Sequence, residues 1–208
     1  MQEMEDKMKA WKEIDFWGNT TWYHATQAGF AKSIIKNGVI ANINNNKPLD
    51  FGYGFYLTPN KEWATNYLIE QTAVLDGDNA IEENRGYILE FSFCPREYIG
   101  EFKYRFFEKL DYEFAKFVFQ NRRYYKYHIF SKCVHSYDMI GGPMSDGKQI
   151  DDFLEYELHR ITKGELFERL LEPKEDWQLL LHNQELCGAL VLNKIYNTKG
   201  DEIDVNDI

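Results

Sequence analysis

Two spacings of apolar residues alternate along this chain, and each predicts its own kind of element. Met4, Met8, Trp11 and Ile14 recur at three- and four-residue steps, which predicts a short helix over 2–17, ended by the turn at 15–19. The β-branched and aromatic run at 20–24 reads as a strand, and 27–37 as an amphipathic helix with Phe30, Ile34 and Ile35 inward and Gly38 at its C-terminal cap. A loop rich in Asn, Pro and Asp spans 42–50, followed by a strand at 54–58. Asn60 is placed to cap a helix carrying Trp63, Ala64, Tyr67 and Leu68 on one face. After an acidic turn at 76–84 come a strand at 86–93, a helix at 111–121 and a strand at 136–141. A helix at 162–171 opens on Thr162 and Glu165, the spacing of a capping box. A strand at 177–182, a last helix at 184–193 and an acidic tail at 198–208 close the series, the tail being either disordered or paired with a partner. Helices and short strands mix without regular βαβ alternation, so the expected class is α+β. The expected division is an N-terminal helix at 1–19, one domain at 20–194 and a tail at 195–208.

Composition narrows the partners. With 44% hydrophobic residues the chain can bury a sizeable core, and its formal charge of −10 argues against a generic polyanion binder. A nucleic-acid substrate held in a local cleft stays open. Cys94, Cys133 and Cys187 stand far apart with no metal-ligand spacing, so neither a disulfide framework nor a zinc site is expected. No apolar run reaches the roughly 20 residues of a membrane span, and the charged N-terminus does not read as a signal peptide. The expected setting is cytoplasmic.

Three segments carry candidate chemistry. In Tyr23-His24-Ala25-Thr26, at a strand-to-helix junction, the histidine suits a sugar hydroxyl and the backbone at Ala25 suits an amide. In the run 50–58 (DFGYGFYLT), Gly52 and Gly54 permit positive φ or close ligand approach before a strand. In the run 63–67, Tyr67 follows Tyr56 by eleven residues, so strand, turn and helix would set both rings on one flat ligand. The competing reading is plain: a surface histidine, a simple turn, and aromatics that belong to a core.

Taken in order, YHAT, DFGYGFYLT and the helix with ANY resemble the ADP-ribosyltransferases of the diphtheria-toxin and PARP type. The resemblance implies a split β-sandwich with flanking helices and NAD as co-substrate. It implies that His24 contacts the ribose, that Tyr56 and Tyr67 sandwich nicotinamide, and that Tyr23, Ala25, Thr26 and Gly54 line the cofactor site. Ala25 stands where the family has glycine, and Ala64 where PARPs carry a serine that bonds the carboxamide. Further along, the runs 114–123, 137–147 and 177–190 look like a bacterial family of unknown function with the same expected fold, covering about 20–194. Some of its members look like toxins of two-gene modules or phage-defence loci. That implies a cognate antitoxin or chaperone as partner and a macromolecular acceptor, protein or nucleic acid.

Gln178 falls where those transferases place a glutamate that bonds the ribose 2′-hydroxyl and stabilises a cationic transition state. An amide bonds the ribose but brings no charge. Asp146, after the turn at 141–143, is the first candidate to supply it; its other reading is a turn residue satisfying backbone amides. Arg122 is either a clamp for the NAD pyrophosphate or a cation closing its helix. The expected catalytic set is therefore His24, Tyr56, Gln178 and Asp146. Tyr56→Ala and Tyr67→Ala are both expected to weaken NAD binding with little loss of fold, and Gln178→Glu to retain or raise hydrolysis. The expected function is an NAD-dependent ADP-ribosyltransferase, a toxin or anti-phage effector; the alternative is a catalytically silent NAD- or ADP-ribose-binding module.

Overall fold

The structure, a computed structural model, describes residues 11–41, 49–73, 86–127, 135–145, 149–172 and 176–208. Its described helices are α1 (Glu13–Trp17), α2 (Ala28–Asn37), α3 (Lys61–Ala73), α4 (Tyr112–Tyr127), α5 (Gln149–Glu157), α6 (Lys163–Leu170) and α7 (Gln184–Gly188). The strands are β1 (Thr21–Gln27), β2 (Phe55–Leu57), β3 (Gly86–Ser92), β4 (Tyr104–Phe106), β5 (Met139–Pro143), β6 (Trp177–Leu181) and β7 (Val191–Tyr196). The class is α+β.

The strands form two sheets, one ordered β1-β3-β7 and one ordered β2-β6-β5-β4. Every pairing is antiparallel except β4 with β5. A single antiparallel bridge joins β1 to the end of β2: Tyr23 N donates to Thr58 O at 2.8 Å, and Thr58 N to Tyr23 O at 2.9 Å.

Strand β6 explains the layering. All five of its residues are buried, the pattern of a strand covered on both faces. Its side chains alternate between faces. Leu179 and Leu181 pack between the sheets with Trp22, Leu89, Phe91, Phe55 and Met139. Leu180 packs outward with Phe51, Ile140, Phe114 and Val118, and with Leu166 and Leu170 of α6. On the far face of the other sheet, Ala64 and Leu68 of α3 cover Ile88 and Tyr196. The layers therefore run α3, first sheet, second sheet, then α4 with α6.

Several elements differ from the sequence expectation. Helix α2 buries Ala28 and Ala31 and leaves Phe30 51% exposed, because the small residues make the close approach to the sheet. Helix α4 runs on past Asn121 to Tyr127, so Arg122 lies inside the helix rather than closing it. The strand expected at 136–141 lies at Met139–Pro143. The last expected helix stops at Gly188, and β7 follows at Val191. Strand β7 crosses the boundary expected at 194/195, and Phe16 and Trp17 of the N-terminal segment sit in the same core as both sheets. The tail is ordered: Ile203 N donates to Ile195 O at 2.9 Å, and Ile203 and Ile208 pack on the core. The expected helix start at 2–10, the acidic turn at 76–84, Cys133 and Asp146 lie outside the described residues. Among the described residues no helix is long and apolar enough to cross a membrane.

Candidate functional site

Two of the segments singled out in the sequence, 23–26 and 50–58, meet at β2, whereas 63–67 lies on α3 over the far face of the first sheet. His24 lies beside the bridge between the sheets. Its Nδ1–H donates to Tyr56 O at 2.8 Å, and its ring lies 4.2 Å from that of Phe55. Burial pushes its pKa down to about 4, so the imidazole is neutral at pH 7. With Nδ1 carrying the proton, Nε2 is an acceptor, and it has no partner among the described residues.

Tyr56 has a second task that the sequence did not announce. Its hydroxyl donates to Gly52 O at 2.7 Å and accepts from Phe51 N at 3.0 Å, closing the loop at 50–54 on itself. Two histidines hold the same loop. His135 Nε2–H donates to Phe51 O, and His182 Nδ1–H to Tyr53 O, each at 2.8 Å. Tyr137 N donates to His135 Nδ1 at 3.2 Å, which fixes that ring as the Nε2–H tautomer. Burial lowers the pKa of His135 to about 4. At the end of the loop Gly54 has φ +149°, and a Cβ there would run into the Leu180 side chain and the Leu181 carbonyl.

Asp50 anchors the loop from its start. Oδ1 accepts from Arg122 Nε at 2.9 Å and Nη2 at 2.6 Å; Oδ2 accepts from Ser145 Oγ at 2.8 Å and Gln178 Nε2 at 3.1 Å. The side chains of Arg122 and Asp50 are 12% and 9% exposed. Burial alone would raise the Asp50 pKa; the Arg122 charge and the donated hydrogen bonds outweigh it and hold the carboxyl below its ordinary value. Reading the sequence missed Asp50, although it opens the DFG run. The signal was its place in that run, beside an arginine in another motif.

The remaining expected residues divide by exposure. Tyr67 is 42% exposed on α3 and stacks on Trp63 at 5.1 Å between centroids, so its ring is open to a further partner. Gln178 is buried, and Nε2 also donates to Pro143 O at 3.2 Å. Arg122 is engaged by Asp50, which leaves the pyrophosphate clamp without a free guanidinium. Tyr23 and Ala25 pack with α3 over the third apolar cluster. Asn121 Oδ1, one residue from Arg122, is the one buried side-chain polar atom without a partner among the described residues. Buried Cys187 has its pKa pushed up to about 12, so it is no nucleophile at neutral pH. No group of three or more metal-ligating side chains occurs among the described residues.

The sequence model of a family described as Protein of unknown function (DUF3990) matches residues 21–192, and the chain belongs to that family. No curated protein and no solved structure matches it.

Proposed function

We propose that the chain is an NAD-dependent ADP-ribosyltransferase that modifies a macromolecular target as a bacterial toxin or anti-phage effector. The observation that carries the reading is the hydrogen bond from His24 on β1 to the backbone carbonyl of Tyr56 on β2, beside the bridge from Tyr23 to Thr58 that joins the two sheets. The motif resemblance assigns His24 to the ribose and Tyr56 to nicotinamide, and this bond sets the two motifs side by side. The residues suit NAD in two further respects. Nε2 of a neutral His24 accepts from a ribose hydroxyl, and the open Tyr67 ring suits a flat heterocycle. NAD would supply the ribosyl group, with nicotinamide leaving as a neutral base. The toxin or defence setting, and a cognate antitoxin as partner, rest on the resemblance alone.

One feature favours the second reading, a silent NAD- or ADP-ribose-binding module: Gln178, an amide, stands where the transferases this chain resembles place a glutamate. Calorimetric titration with NAD tests both. Binding is expected, and Tyr67→Ala should weaken it by roughly two- to tenfold, the scale of one aromatic stack, without unfolding. No heat of binding at millimolar NAD would remove both readings. Binding without nicotinamide release would favour the silent module.

A further inference from the structure

What an amide offers a ligand depends on which of its ends the protein has already used. Gln178 Nε2 faces Asp50 Oδ2 at 3.1 Å and Pro143 O at 3.2 Å. Both neighbours only accept: Arg122 keeps Asp50 ionised, and a backbone carbonyl has no proton. Both N–H bonds of Gln178 are thereby spent, and Oε1, which has no partner among the described residues, is the end left over. A free glutamine rotates to give or take a hydrogen bond. This one can only take, and a carboxylate behind its nitrogen polarises the amide toward that oxygen.

The surroundings of Asp50 set it apart from a lone ion pair. Its partners come from α4, from the residue pair just after β5 and from β6, and Asp50 itself from the loop before β2. Four of the six segments that carry the resemblances, 50–58, 114–123, 137–147 and 177–190, thus converge on one carboxylate. The register of β2 with β6 pairs Tyr56 with Leu180, which puts Tyr56 and Gln178 on the same face of the second sheet.

We infer that Asp50 is a positioning residue of the proposed transferase site: it locks Gln178 so that Oε1 takes the hydrogen bond from the nicotinamide-ribose hydroxyl that a glutamate takes in the transferases this chain resembles. The inference rests on the transferase reading. In the step it serves, the bond from ribose C1′ to the nicotinamide nitrogen breaks and its electron pair leaves with nicotinamide. A nucleophile, water in the absence of an acceptor, bonds to C1′ and releases its proton to solvent. The sequence-based expectation for Gln178→Glu reverses here. A glutamate at position 178 would set two carboxylates against each other about 3 Å apart, so one must hold a proton.

Nicotinamide release from NAD by four proteins tests this: the wild type, Asp50→Asn/Arg122→Gln, Gln178→Glu, and the exchange Asp50→Asn/Gln178→Glu. The first double variant removes both buried charges together, so no lone ion is left inside. Its kcat should fall on the order of 100-fold with KM little changed, the low end of what one preorganised polar contact supplies. Gln178→Glu should fall as well. In the exchange, the amide introduced at position 50 donates to the carboxylate introduced at position 178, and most of the loss should be recovered. Full kcat in Asp50→Asn/Arg122→Gln, or an exchange variant no better than Gln178→Glu, overturns the inference while wild-type release keeps the transferase reading. The exchange pair decides even where the uncharged variant does not fold. No release by the wild type removes the reading and the inference together.

Discussion

At the scale of single residues, the loop at 50–54 shows how many side chains are spent on holding a short piece of backbone. Tyr56, His135 and His182 bond its backbone and Asp50 ties its start to three other segments; Asp50, Tyr56 and His135 each supply a test. Asp50→Asn leaves the Arg122 guanidinium buried without its counter-charge, a loss of about 3–5 kcal/mol for breaking a buried pair. Urea unfolding measures it, and a change under about 1 kcal/mol, the scale of an exposed pair, would mean that the pair is solvated. Tyr56→Ala should destabilise strongly, whereas Tyr67→Ala should not, because only Tyr56 uses its hydroxyl inside the fold. The two tyrosines, alike in the motif, are separated by their hydrogen bonds. His24 and His135 set a pH dependence of their own. In the unfolded chain each imidazole takes a proton near 6.5, in the folded protein only near 4. Between those values the unfolded state holds the extra protons, so stability rises with pH across the window and is lost as pH falls from 6.5 toward 4. The loss approaches about 1.4 kcal/mol per pH unit for each histidine. Denaturant titrations at pH 7 and pH 5 should differ in that direction; equal stabilities would show the rings to be solvated.

Among elements, those with a strong local signal were legible. Strand β3 was read within one residue of its ends, since Tyr87, Leu89 and Phe91 have the composition of a sheet interior. The start of α6 was equally plain: Thr162 Oγ accepts from Glu165 N at 3.2 Å, and Thr162 N donates to Glu165 Oε2 at 2.7 Å. Thr162→Ala should therefore cost about 1 kcal/mol, with thermal unfolding as the readout and no shift as the contrary result. Strand β7 was not legible, because Leu186, Leu190 and Asn193 continue a helical spacing that only pairing with β3 overrides. Strand β4 has three residues and a parallel partner, too little chain to carry a period. For the candidate site, His24, Tyr56, Tyr67 and Gln178 entered through the resemblance of their motifs. The hub at Asp50 was not legible, because its partners lie 72, 95 and 128 residues away and no local pattern announces such pairs.

At the scale of the whole molecule, two sheets joined among the described residues by a bridge from β1 to the end of β2, with helices on both outer faces, bring His24, Tyr56 and the loop at 50–54 to that join. The core between the sheets packs that join: Trp22, Leu89 and Phe91 meet Phe55, Leu179 and Leu181 there. The most direct test of the account is incubation of the purified wild-type protein with NAD labelled in the adenosine half, with and without cell extract, following free nicotinamide and label bound to macromolecules. Release of nicotinamide, with label transferred to a macromolecule in the extract, is expected. Intact NAD and no bound label after prolonged incubation would contradict the account.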